Sequence, residues 1–465
     1  MITKLSIHGL RGFGEKKEMD FAIPNGTIGS GITYFVGQNN SGKTTILEAI
    51  EAFNCNYGNS PSFSEKKRNV KFDNGRIELT VVQNGTCFKI CTPSSGGSET
   101  FLYENDERVI QRQNDYKPVY CLASRRNFEQ EFNKGLTSRD DYLYNRVFKS
   151  VTRLGRLSDF QLRLFEMFEK KEEFDSVLKK ALGDDLNWTI DQTENGNYYL
   201  KLIFNGCTHS SEGMGDGIWS IFTICDALYD SKEGDTIAID EPELSLHPSL
   251  QKRVINLLKE YSKDRQIIIF THSSYFIEWD SILNGAKLYR TLKNENDDID
   301  LYGLTDRSVE IIRKLVKDLQ KPHILGLEAK EIFFIPDQII LVEGQDDVVM
   351  YSKAAEQVGK SFAGTFFGWG AGGAGNIELL ITILNDLGYK KIFSIFDGNK
   401  KEDKEKLEEF YTEYEFCVIS KADVRDKKEN KRVVVEGLLT EGGELKEDCK
   451  EEIIKLIDMA NRYFD

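Results

Sequence analysis

Residues 37–45 form an unbroken glycine-rich motif, Gly-Gln-Asn-Asn-Ser-Gly-Lys-Thr-Thr, which fits the pattern G-x-x-x-x-G-K-[ST] at every position. An apolar run at 31–36 predicts a buried strand before the motif, and the pattern at 46–53 predicts a helix after it. Such a motif requires this order, because glycines let backbone N–H groups wrap around phosphates at a helix N-terminus. The chain is therefore predicted to bind a nucleoside triphosphate.

The side chains of this motif have separate predicted roles at the nucleotide. Lys43 is expected to reach the outer phosphates, and the Thr44 hydroxyl is placed to hold Mg²⁺. The other predicted nucleotide contacts are Gly37, Asn40, Ser41, Gly42 and Thr45. A chance glycine-rich turn is the alternative, and the matching strand and helix on either side disfavour it.

Composition limits the class of protein. A length of 465 residues predicts two or three domains, and 40% hydrophobic with 29% charged residues is typical of a soluble globular protein. The net charge of −15 argues against coating DNA through bulk charge, because phosphate binding draws on clustered Lys and Arg. A local basic groove or a metal-dependent nucleic-acid site remains compatible with this charge.

Cysteine usage and hydropathy bear on the compartment. The eight cysteines show no C-x-x-C spacing, so neither a zinc site nor a disulfide framework is expected, and free thiols fit a reducing cytosol. No signal-peptide pattern is visible at the N-terminus, and no apolar run approaches the length of a membrane span. We expect a soluble, cytoplasmic protein without a membrane partner.

A second apolar strand at 236–240 ends in an acid, Asp240, and a second acid, Glu241, follows it. Burial of this strand would aim Asp240 at the Mg²⁺ shell beside Thr44, and Glu241 is placed to polarise the attacking water. One strand later comes His272. A histidine at a strand end can contact a γ-phosphate, whereas a capped loop histidine is the alternative. Its position after the two acids favours the catalytic interpretation.

Acidic residues also recur in a second α/β pattern, which fills 336–465 and predicts a small parallel sheet. Because parallel strands gather sites at their carboxyl ends, several oxygen-bearing side chains should converge there. A hard divalent cation, Mg²⁺ or alternatively Mn²⁺, would relieve their repulsion. Strand-end acids that merely cap helices are the alternative. The candidate ligands are Glu343, Asp346, Asp347, Asp397 and Asn399.

These motifs together resemble those of ABC-type ATPases of the SMC kind, and most closely those of the OLD (overcoming-lysogenization-defect) family. The resemblance is carried by Leu10-Arg11-Gly12-Phe13, by the phosphate-binding motif, and by Asp-Glu-Pro-Glu-Leu-Ser-Leu-His-Pro at 240–248. It implies an α/β fold with an ABC-type P-loop ATPase head at 1–335, which carries a helical insertion at 127–185. A small parallel-sheet TOPRIM domain would follow at 336–465.

The resemblance also implies how the head assembles. Ser211 and Gly213 match the signature loop that closes on a partner's ATP in such ATPases, so two heads would sandwich two nucleotides in a homodimer or higher oligomer. The insertion at 127–185 would be a dimerisation element, and an amphipathic subdomain that packs on the core is the plainer interpretation. Gln130 is the candidate for the glutamine of the Q-loop.

In the second domain, the resemblance to TOPRIM domains makes Glu343 the first-strand glutamate and Asp397 the start of the D-x-D motif. Asn399 occupies the second acidic position of that motif. An amide oxygen can coordinate a metal but brings no charge, which weakens the case for a second metal ion. Lys427 lies where OLD nucleases place a catalytic lysine, and a surface lysine is the equal alternative.

The resemblance implies an ATP-regulated, Mg²⁺-dependent endonuclease that acts on DNA, of the sort found in bacterial anti-phage systems such as Gabija and retron-associated nucleases. Its partner would then be a defence protein or a retron nucleoprotein. The alternative is an ATP-driven sensor or scaffold whose TOPRIM domain is weak or acts on RNA through a partner. A transporter ATPase is disfavoured by the motif set and by the fused acidic domain.

Overall fold

The computed structural model describes residues 1–54, 61–69, 71, 75–94, 97–110, 116–126, 131–142, 160–184, 186–204, 206–210, 215–317, 324–334, 337–429 and 432–465. The chain divides into two compact units, Met1–Leu301 and Tyr302–Asp465. The predicted functional boundary between 335 and 336 lies inside the second unit and stays a prediction.

The first unit is built from strands and helices in similar measure. Its strands are β1 (Ile2–His8), β2 (Lys17–Asp20), β3 (Ile32–Val36), β4 (Glu78–Gln83), β5 (Thr86–Cys91), β6 (Phe101–Glu104), β7 (Glu107–Val109), β8 (Tyr120–Leu122), β9 (Glu131–Phe132), β10 (Leu186–Gln192), β11 (Tyr198–Phe204), β12 (Cys207–Ser210), β13 (Thr236–Asp240), β14 (Gln266–Thr271), β15 (Lys287–Lys293) and β16 (Ile299–Gly303), which runs past the border of the unit. Its helices are α1 (Lys43–Glu51), α2 (Arg139–Tyr142), α3 (Phe160–Glu169), α4 (Lys171–Leu182), α5 (Asp216–Asp230), α6 (Pro248–Tyr261) and α7 (Trp279–Leu283).

A six-stranded sheet with the order β16-β15-β3-β14-β13-β8 carries the predicted nucleotide site. Strands β15, β3, β14, β13 and β8 run parallel. Every residue of β3, β13 and β14 is buried, as expected for apolar strands that are covered on both faces. The predictions of these three strands are confirmed. Their carboxyl ends bring the glycine-rich loop, Asp240 and His272 to the same edge of the sheet.

A second, antiparallel sheet with the order β2-β1-β4-β5-β6-β7 shares a core with the first. Ile7 of β1, Leu79 of β4, Ile50 of α1 and Ile268 of β14 are all fully buried in this core. Helix α1 is therefore fixed by apolar side chains from both sheets. That packing holds the glycine-rich loop at its N-terminus in place.

The described part of the predicted insertion packs on the helices of the same unit. Helix α4 lies against α5 and α6, and the Phe174 ring contacts Phe222 of α5. Arg163 of α3 forms a buried ion pair with Asp226 of α5. A short strand, β9, also lies in this segment and pairs with β11. These contacts favour the plainer interpretation, a subdomain that packs on the core, and the dimerisation role stays a prediction.

The second unit alternates strands with helices. Its strands are β17 (Ile339–Val342), β18 (Thr365–Phe366), β19 (Ile392–Phe396), β20 (Glu415–Val418), β21 (Asp423–Arg425), β22 (Lys427–Glu429), β23 (Arg432–Val435) and β24 (Gly437–Leu439). Its helices are α8 (Asp306–Lys317), α9 (Leu327–Lys330), α10 (Gln345–Gln357), α11 (Ala374–Asp386), α12 (Lys401–Phe410) and α13 (Lys450–Phe464). No helix among the described residues is long and apolar enough to cross a membrane.

Four strands of the second unit form a parallel sheet with the order β18-β17-β19-β20. The small parallel sheet predicted for this region is confirmed. Ile340 of β17 and Phe393 of β19 share a core with Ala354 of α10 and Ile457 of α13. The carboxyl ends of the two central strands, β17 and β19, lead directly into the acidic segments that the sequence singles out.

Candidate functional site

The loop between β3 and α1 has the backbone of a phosphate cradle. Gly37 and Gly42 adopt φ angles of 144° and 94°, in the region that favours glycine. A Cβ atom at Gly37 would lie 2.3 Å from the carbonyl oxygen of Thr291, so no side chain fits there. Asn40 also has a positive φ of 63°. Ser41 is fixed by a 2.6 Å hydrogen bond between its hydroxyl and that of Thr291.

The Lys43 ammonium is folded back onto the loop and is almost fully buried. It donates to the carbonyl oxygens of Gly37 and Gln38 at 2.9 and 2.8 Å, and its Nζ lies 3.4 Å from Nδ1 of His272. Burial lowers the pKa of Lys43 to about 8, although the charge of Asp240 acts in the opposite direction. A triphosphate would offer charged acceptors and would favour the protonated form.

Thr44 and Asp240 form the predicted Mg²⁺ position. The Thr44 hydroxyl donates to Oδ2 of Asp240 at 3.2 Å. The other carboxylate oxygen of Asp240, Oδ1, is buried and has no hydrogen-bond partner in the described part of the chain. Burial raises the pKa of Asp240 to about 6, and the charge of Glu241 adds to this effect. A buried carboxylate with one free oxygen beside a threonine hydroxyl fits a hard divalent cation.

Glu241 and His272 lie next to this position. The backbone of Glu241 has a φ of 47°, an uncommon conformation for a residue other than glycine. Nε2 of His272 lies 3.5 Å from Oε1 of Glu241, and the hydrogen bond with His272 lowers the pKa of this carboxyl group. The backbone N–H of His272 donates to Glu243 at 2.6 Å. The structure thus brings Lys43, Asp240, Glu241 and His272 together, and their catalytic roles stay predictions.

A cavity of about 610 Å³ opens above the loop, and one of its walls is strongly basic. The loop side includes Asn40 and Thr45. Arg68 is 9% exposed, and its Nε and Nη2 atoms have no hydrogen-bond partner among the described groups. The volume and charge suit a triphosphate. The cations that line the cavity besides Lys43 are Arg11, Lys66, Arg68, Lys71 and Lys293.

Other predicted residues of the head lie outside the described residues. These are Ser211 and Gly213 of the predicted signature loop, and Gln130. Helix α5 begins at Asp216, directly after that loop. Sequence reasoning missed Arg126, which follows β8 and binds the turn after Asp240. The signal that could have found it is the pair Arg125-Arg126 after a short apolar strand.

In the second unit, two strand ends meet through Glu343 and Asp397. The backbone N–H of Asp397 donates to Oε1 of Glu343 at 3.0 Å, so the carboxylate that follows β17 touches the residue that follows β19. Burial raises the pKa of Asp397 to about 8, and the negative charges of Asp347, Glu343 and Asp423 add to it. The pKa of Glu343 is raised as well, chiefly by burial. These carboxyl groups are close enough to raise one another's pKa, and their role as metal ligands stays a prediction.

Asp347 has a structural role and also belongs to this group. Its Oδ2 accepts a 2.8 Å hydrogen bond from the backbone N–H of Gly344, which caps α10. Burial raises its pKa to about 7, and Asp423 and Glu343 contribute. Both interpretations of the strand-end acids, helix capping and a shared carboxylate site, therefore apply to the same side chain.

Asp423 is a member of the group that sequence reasoning missed. It begins β21 and is 5% exposed. Its carboxylate pairs with the ammonium of Lys427, and this hydrogen bond is the largest cause that raises the pKa of Lys427. In the sequence, Asp423 could have been found from its position four residues before Lys427, the predicted catalytic lysine.

The other two predicted ligands are Asp346 and Asn399. Oδ2 of Asp346 accepts hydrogen bonds from Nη2 and Nε of Arg425 at 2.6 and 3.0 Å. Asn399 is exposed in the turn before α12. Among the residues that the structure describes, no three His, Cys, Asp or Glu side chains are arranged as a ready metal cage. The carboxylates are close enough to affect one another's pKa, and a cation would have to draw them closer.

The geometry of the first unit defines a P-loop ATPase head that binds nucleotide. Two family models agree with this class: "AAA domain" matches residues 4–201, and "AAA domain, putative AbiEii toxin, Type IV TA system" matches residues 208–278. The chain is 26% identical to the Septu protein PtuA of Bacillus thuringiensis over 307 residues, 60% of this chain and 73% of that protein. It is also 26% identical to the OLD nuclease of Thermus scotoductus over 330 residues, and the chain covers 60% of that nuclease's length.

Solved structures of SMC heads are more distant. The SMC head domain from Thermotoga maritima is 16% identical, and the match covers 65% of this chain and 99% of that one with a TM-score of 0.38. The Smc head domain with an extended coiled coil bound to the C-terminal domain of ScpA, from Pyrococcus furiosus, is 14% identical, covering 68% of this chain and 99% of that one with a TM-score of 0.45. Scores below 0.5 do not establish a shared architecture.

Proposed function

We propose that this protein is an ATP-regulated, divalent-metal-dependent DNA endonuclease that acts in bacterial anti-phage defence. Three observations support the proposal: the ATPase head, the carboxylate group in the second unit, and the similarity to a protein named OLD nuclease and to the Septu protein PtuA. The hydrogen bond from the Asp397 backbone to Glu343 carries it, because this contact joins the acids of two adjacent parallel strands. Residues 336–465, within the second unit, would then be a TOPRIM-type nuclease domain.

Different residues of the head have separate proposed roles in ATP hydrolysis. Lys43 and the loop N–H groups bind the phosphates, and Thr44 with Asp240 would hold a Mg²⁺ ion that offsets phosphate charge. Glu241 polarises the attacking water. His272 lies between Glu241 and Lys43, at 3.5 and 3.4 Å from them, where it can sense the γ-phosphate. Hydrolysis at this site would report the nucleotide state to the rest of the protein.

The carboxylates of the second unit fit phosphodiester cleavage. Burying several negative charges close together is costly. A Mg²⁺ or Mn²⁺ ion bound among the carboxylates here would neutralise that charge; they belong to Glu343, Asp347, Asp397 and Asp423. Such an ion polarises a phosphodiester and lowers the pKa of bound water. Lys427 lies beside the group and would stabilise the charge that develops on the phosphate.

Regulation would come from paired heads. With Ser211 and Gly213 as the signature loop, two copies close on two ATP molecules, and this homodimer or a higher oligomer gates cleavage of DNA. A defence partner, either a protein or a retron nucleoprotein, would supply the trigger. We place the complex in the cytoplasm, where phage DNA is found.

Cleavage of plasmid DNA tests the proposal. Wild-type protein is incubated with Mg²⁺ or Mn²⁺, with and without ATP, beside Glu343→Gln, Lys43→Ala and the control Glu356→Gln, an exposed acid of α10. Wild type and the control should cut, Glu343→Gln should not, and Lys43→Ala should lose only the response to ATP. If wild type leaves DNA intact under all these conditions, with and without candidate partners, the nuclease proposal fails. Cutting by Glu343→Gln would instead refute the site.

A second function remains in competition, namely an ATP-driven sensor or scaffold with a weak or RNA-directed second unit. Asn399 favours it, because an exposed amide contributes no charge to a metal site. The absence of a ready metal cage among the described residues favours it too. In the same assay this function predicts ATP hydrolysis without DNA cleavage, or cleavage of an RNA substrate that Glu343→Gln abolishes.

A further inference from the structure

Arg126 is a buried arginine whose guanidinium binds the turn that carries the two acids of the ATPase site. It is 2% exposed. Nη1 donates to the carbonyl oxygen of Asp240 at 2.6 Å, and Nη2 donates to that of Glu241 at 2.7 Å. Nη1 also reaches the carbonyl oxygen of Ala123 at 2.8 Å, and Nε donates to the Ser220 hydroxyl at 2.9 Å. All these acceptors are uncharged.

Burying a cation costs free energy unless hydrogen bonds or nearby charges compensate for the hydration that it loses. Charged groups in protein interiors are normally paired with a carboxylate, whereas this guanidinium is bonded to three backbone carbonyls and a hydroxyl. Burial lowers the pKa of Arg126 to about 10, although the charges of the nearby Asp240, Glu243 and Glu241 act in the opposite direction. The carbonyls that it holds flank the φ of 47° at Glu241. Arg126 thus offsets the cost of a backbone conformation that aims the Glu241 side chain toward the nucleotide cavity.

The same guanidinium connects this turn to α5. Ser220 lies in the second turn of α5, and the first turn of that helix contacts the same region independently. A Cβ at Gly217 would lie 2.4 Å from the carbonyl oxygen of Ser245, so the helix backbone sits directly against the segment after Glu241. Because α5 begins directly after 211–215, a displacement of this helix would reach Glu241 through Ser220 and Arg126.

We propose that Arg126 is a positioning residue for ATP hydrolysis, which holds the turn that carries Glu241 and anchors it to α5 through Ser220. This inference rests on the proposed role of Glu241 in polarising water. It assigns no contact with the nucleotide to Arg126. Loss of Arg126 should therefore affect the chemical step and leave ATP binding through Lys43 and the glycine-rich loop unchanged.

Arg126→Lys is the sharpest substitution, because lysine keeps the charge but cannot present a planar fork to four acceptors. We expect kcat for ATP hydrolysis to fall about 10- to 100-fold, the range associated with displacement of a catalytic group by about 1 Å. The Kd for ATP, measured with a fluorescent nucleotide, should stay within about twofold. The control is Arg125→Lys, the exposed neighbouring arginine, which should match wild type in both quantities.

Two further variants keep the inference falsifiable. Ser220→Ala should lower kcat about threefold or more without changing the Kd, and combined with Arg126→Lys it should add little, because both act through one link. This variant decides the question if Arg126→Lys does not fold. Normal kcat in Arg126→Lys or Ser220→Ala, or parallel losses of kcat, ATP affinity and melting temperature, would overturn the proposal. Glu241→Gln separates the two hypotheses: wild-type hydrolysis by that variant would refute the role of Glu241 itself.

Discussion

The affinity for ATP should fall as pH rises through 8, because the free protein releases the proton of Lys43 there. Burial lowers the pKa of this ammonium to about 8. Its Nζ is held by two neutral carbonyl oxygens at 2.8 and 2.9 Å, which do not compensate fully for the lost hydration. The triphosphate binds the charged form. Binding above pH 8 therefore requires uptake of a proton. The apparent affinity for ATP is then proportional to the fraction of the free protein in which Lys43 is protonated.

The magnitude follows from that pKa. With a pKa of about 8, roughly nine-tenths of the Lys43 side chains are protonated at pH 7 and about one-tenth at pH 9. The Kd for ATP should thus rise about tenfold between these values, equivalent to about 1.4 kcal/mol. Phosphate groups have a second pKa near 6, so measurements from pH 7.5 upward are little affected by the ligand's own ionisation.

Isothermal titration calorimetry or a fluorescent nucleotide can measure this profile. The control is Lys43→Met, which removes the titrating group, so its weaker affinity should be independent of pH over the same range. Glu51, whose pKa is raised to about 8 by burial, is another group of the head that titrates in this range. A tenfold dependence that persists in Lys43→Met would refute the assignment to Lys43, and Glu51→Gln would show whether that glutamate is responsible.

Three more predictions concern the rest of the chain. Arg163→Ala should lower the free energy of unfolding by about 3–5 kcal/mol in urea titrations, because buried aspartates of α5 lose their guanidinium partner, and a loss below 1 kcal/mol would contradict this. Binding of Mn²⁺ near pH 7 should release protons from Asp347 and Asp397, whose pKa values are about 7 and 8, so the affinity should rise with pH; equal calorimetric enthalpies in buffers of different ionisation enthalpy would count against it. Gly370→Ala, whose Cβ would lie 2.6 Å from the backbone beneath it, should lower the melting temperature and cleavage, whereas Gly375→Ala, with open space around it, should change neither; equal effects of the two would show the reasoning to be wrong.

The nucleotide motif could be predicted from sequence because its chemistry requires contiguous residues. A strand must enter the loop, glycines must adopt positive φ angles, and Lys43 must start the helix, so all the determinants lie within about fifteen positions. Asp240 and Glu241 were predictable for the same reason, since the strand that carries them is short, apolar and fully buried. Local order determines these contacts, and the structure places them as expected.

Contacts between distant segments could not be predicted in this way. Arg11, Lys66 and Lys293 line one cavity, although 282 positions separate the first from the last. Arg126 reaches the turn after Asp240 only because β8 pairs with β13, and three residues are too few for a period-2 pattern. In each case, the way the strands pair and pack determines which distant residues come into contact.

Helix geometry separates the two neighbouring acids of α10. Asp346 and Asp347 are consecutive, so their side chains are about 100° apart around the helix axis and point in different directions. Asp347 turns inward, caps the helix and shares the site with Asp397, whereas Asp346 turns to Arg425. The helical period therefore favours one of the two acids as a ligand, and the roles of Asp346 and Asp347 at a metal stay predictions.

Burial of carboxyl groups affects both the nucleotide site of the head and the carboxylate group of the second unit, but with different consequences. At each, carboxylates are buried where parallel strands end, and burial raises their pKa, to about 6 for Asp240 and to about 7 and 8 for Asp347 and Asp397. In the head, the Thr44 hydroxyl already lies 3.2 Å from the Asp240 carboxylate and nearby cations line the cavity, so a triphosphate and a Mg²⁺ ion would complete a site that is largely formed. In the second unit, Lys427, one of the nearby cations, is paired with Asp423. For a metal to bind there, the acids would have to lose protons and approach one another, so we infer that this proposed site is the more sensitive of the two to pH and metal concentration.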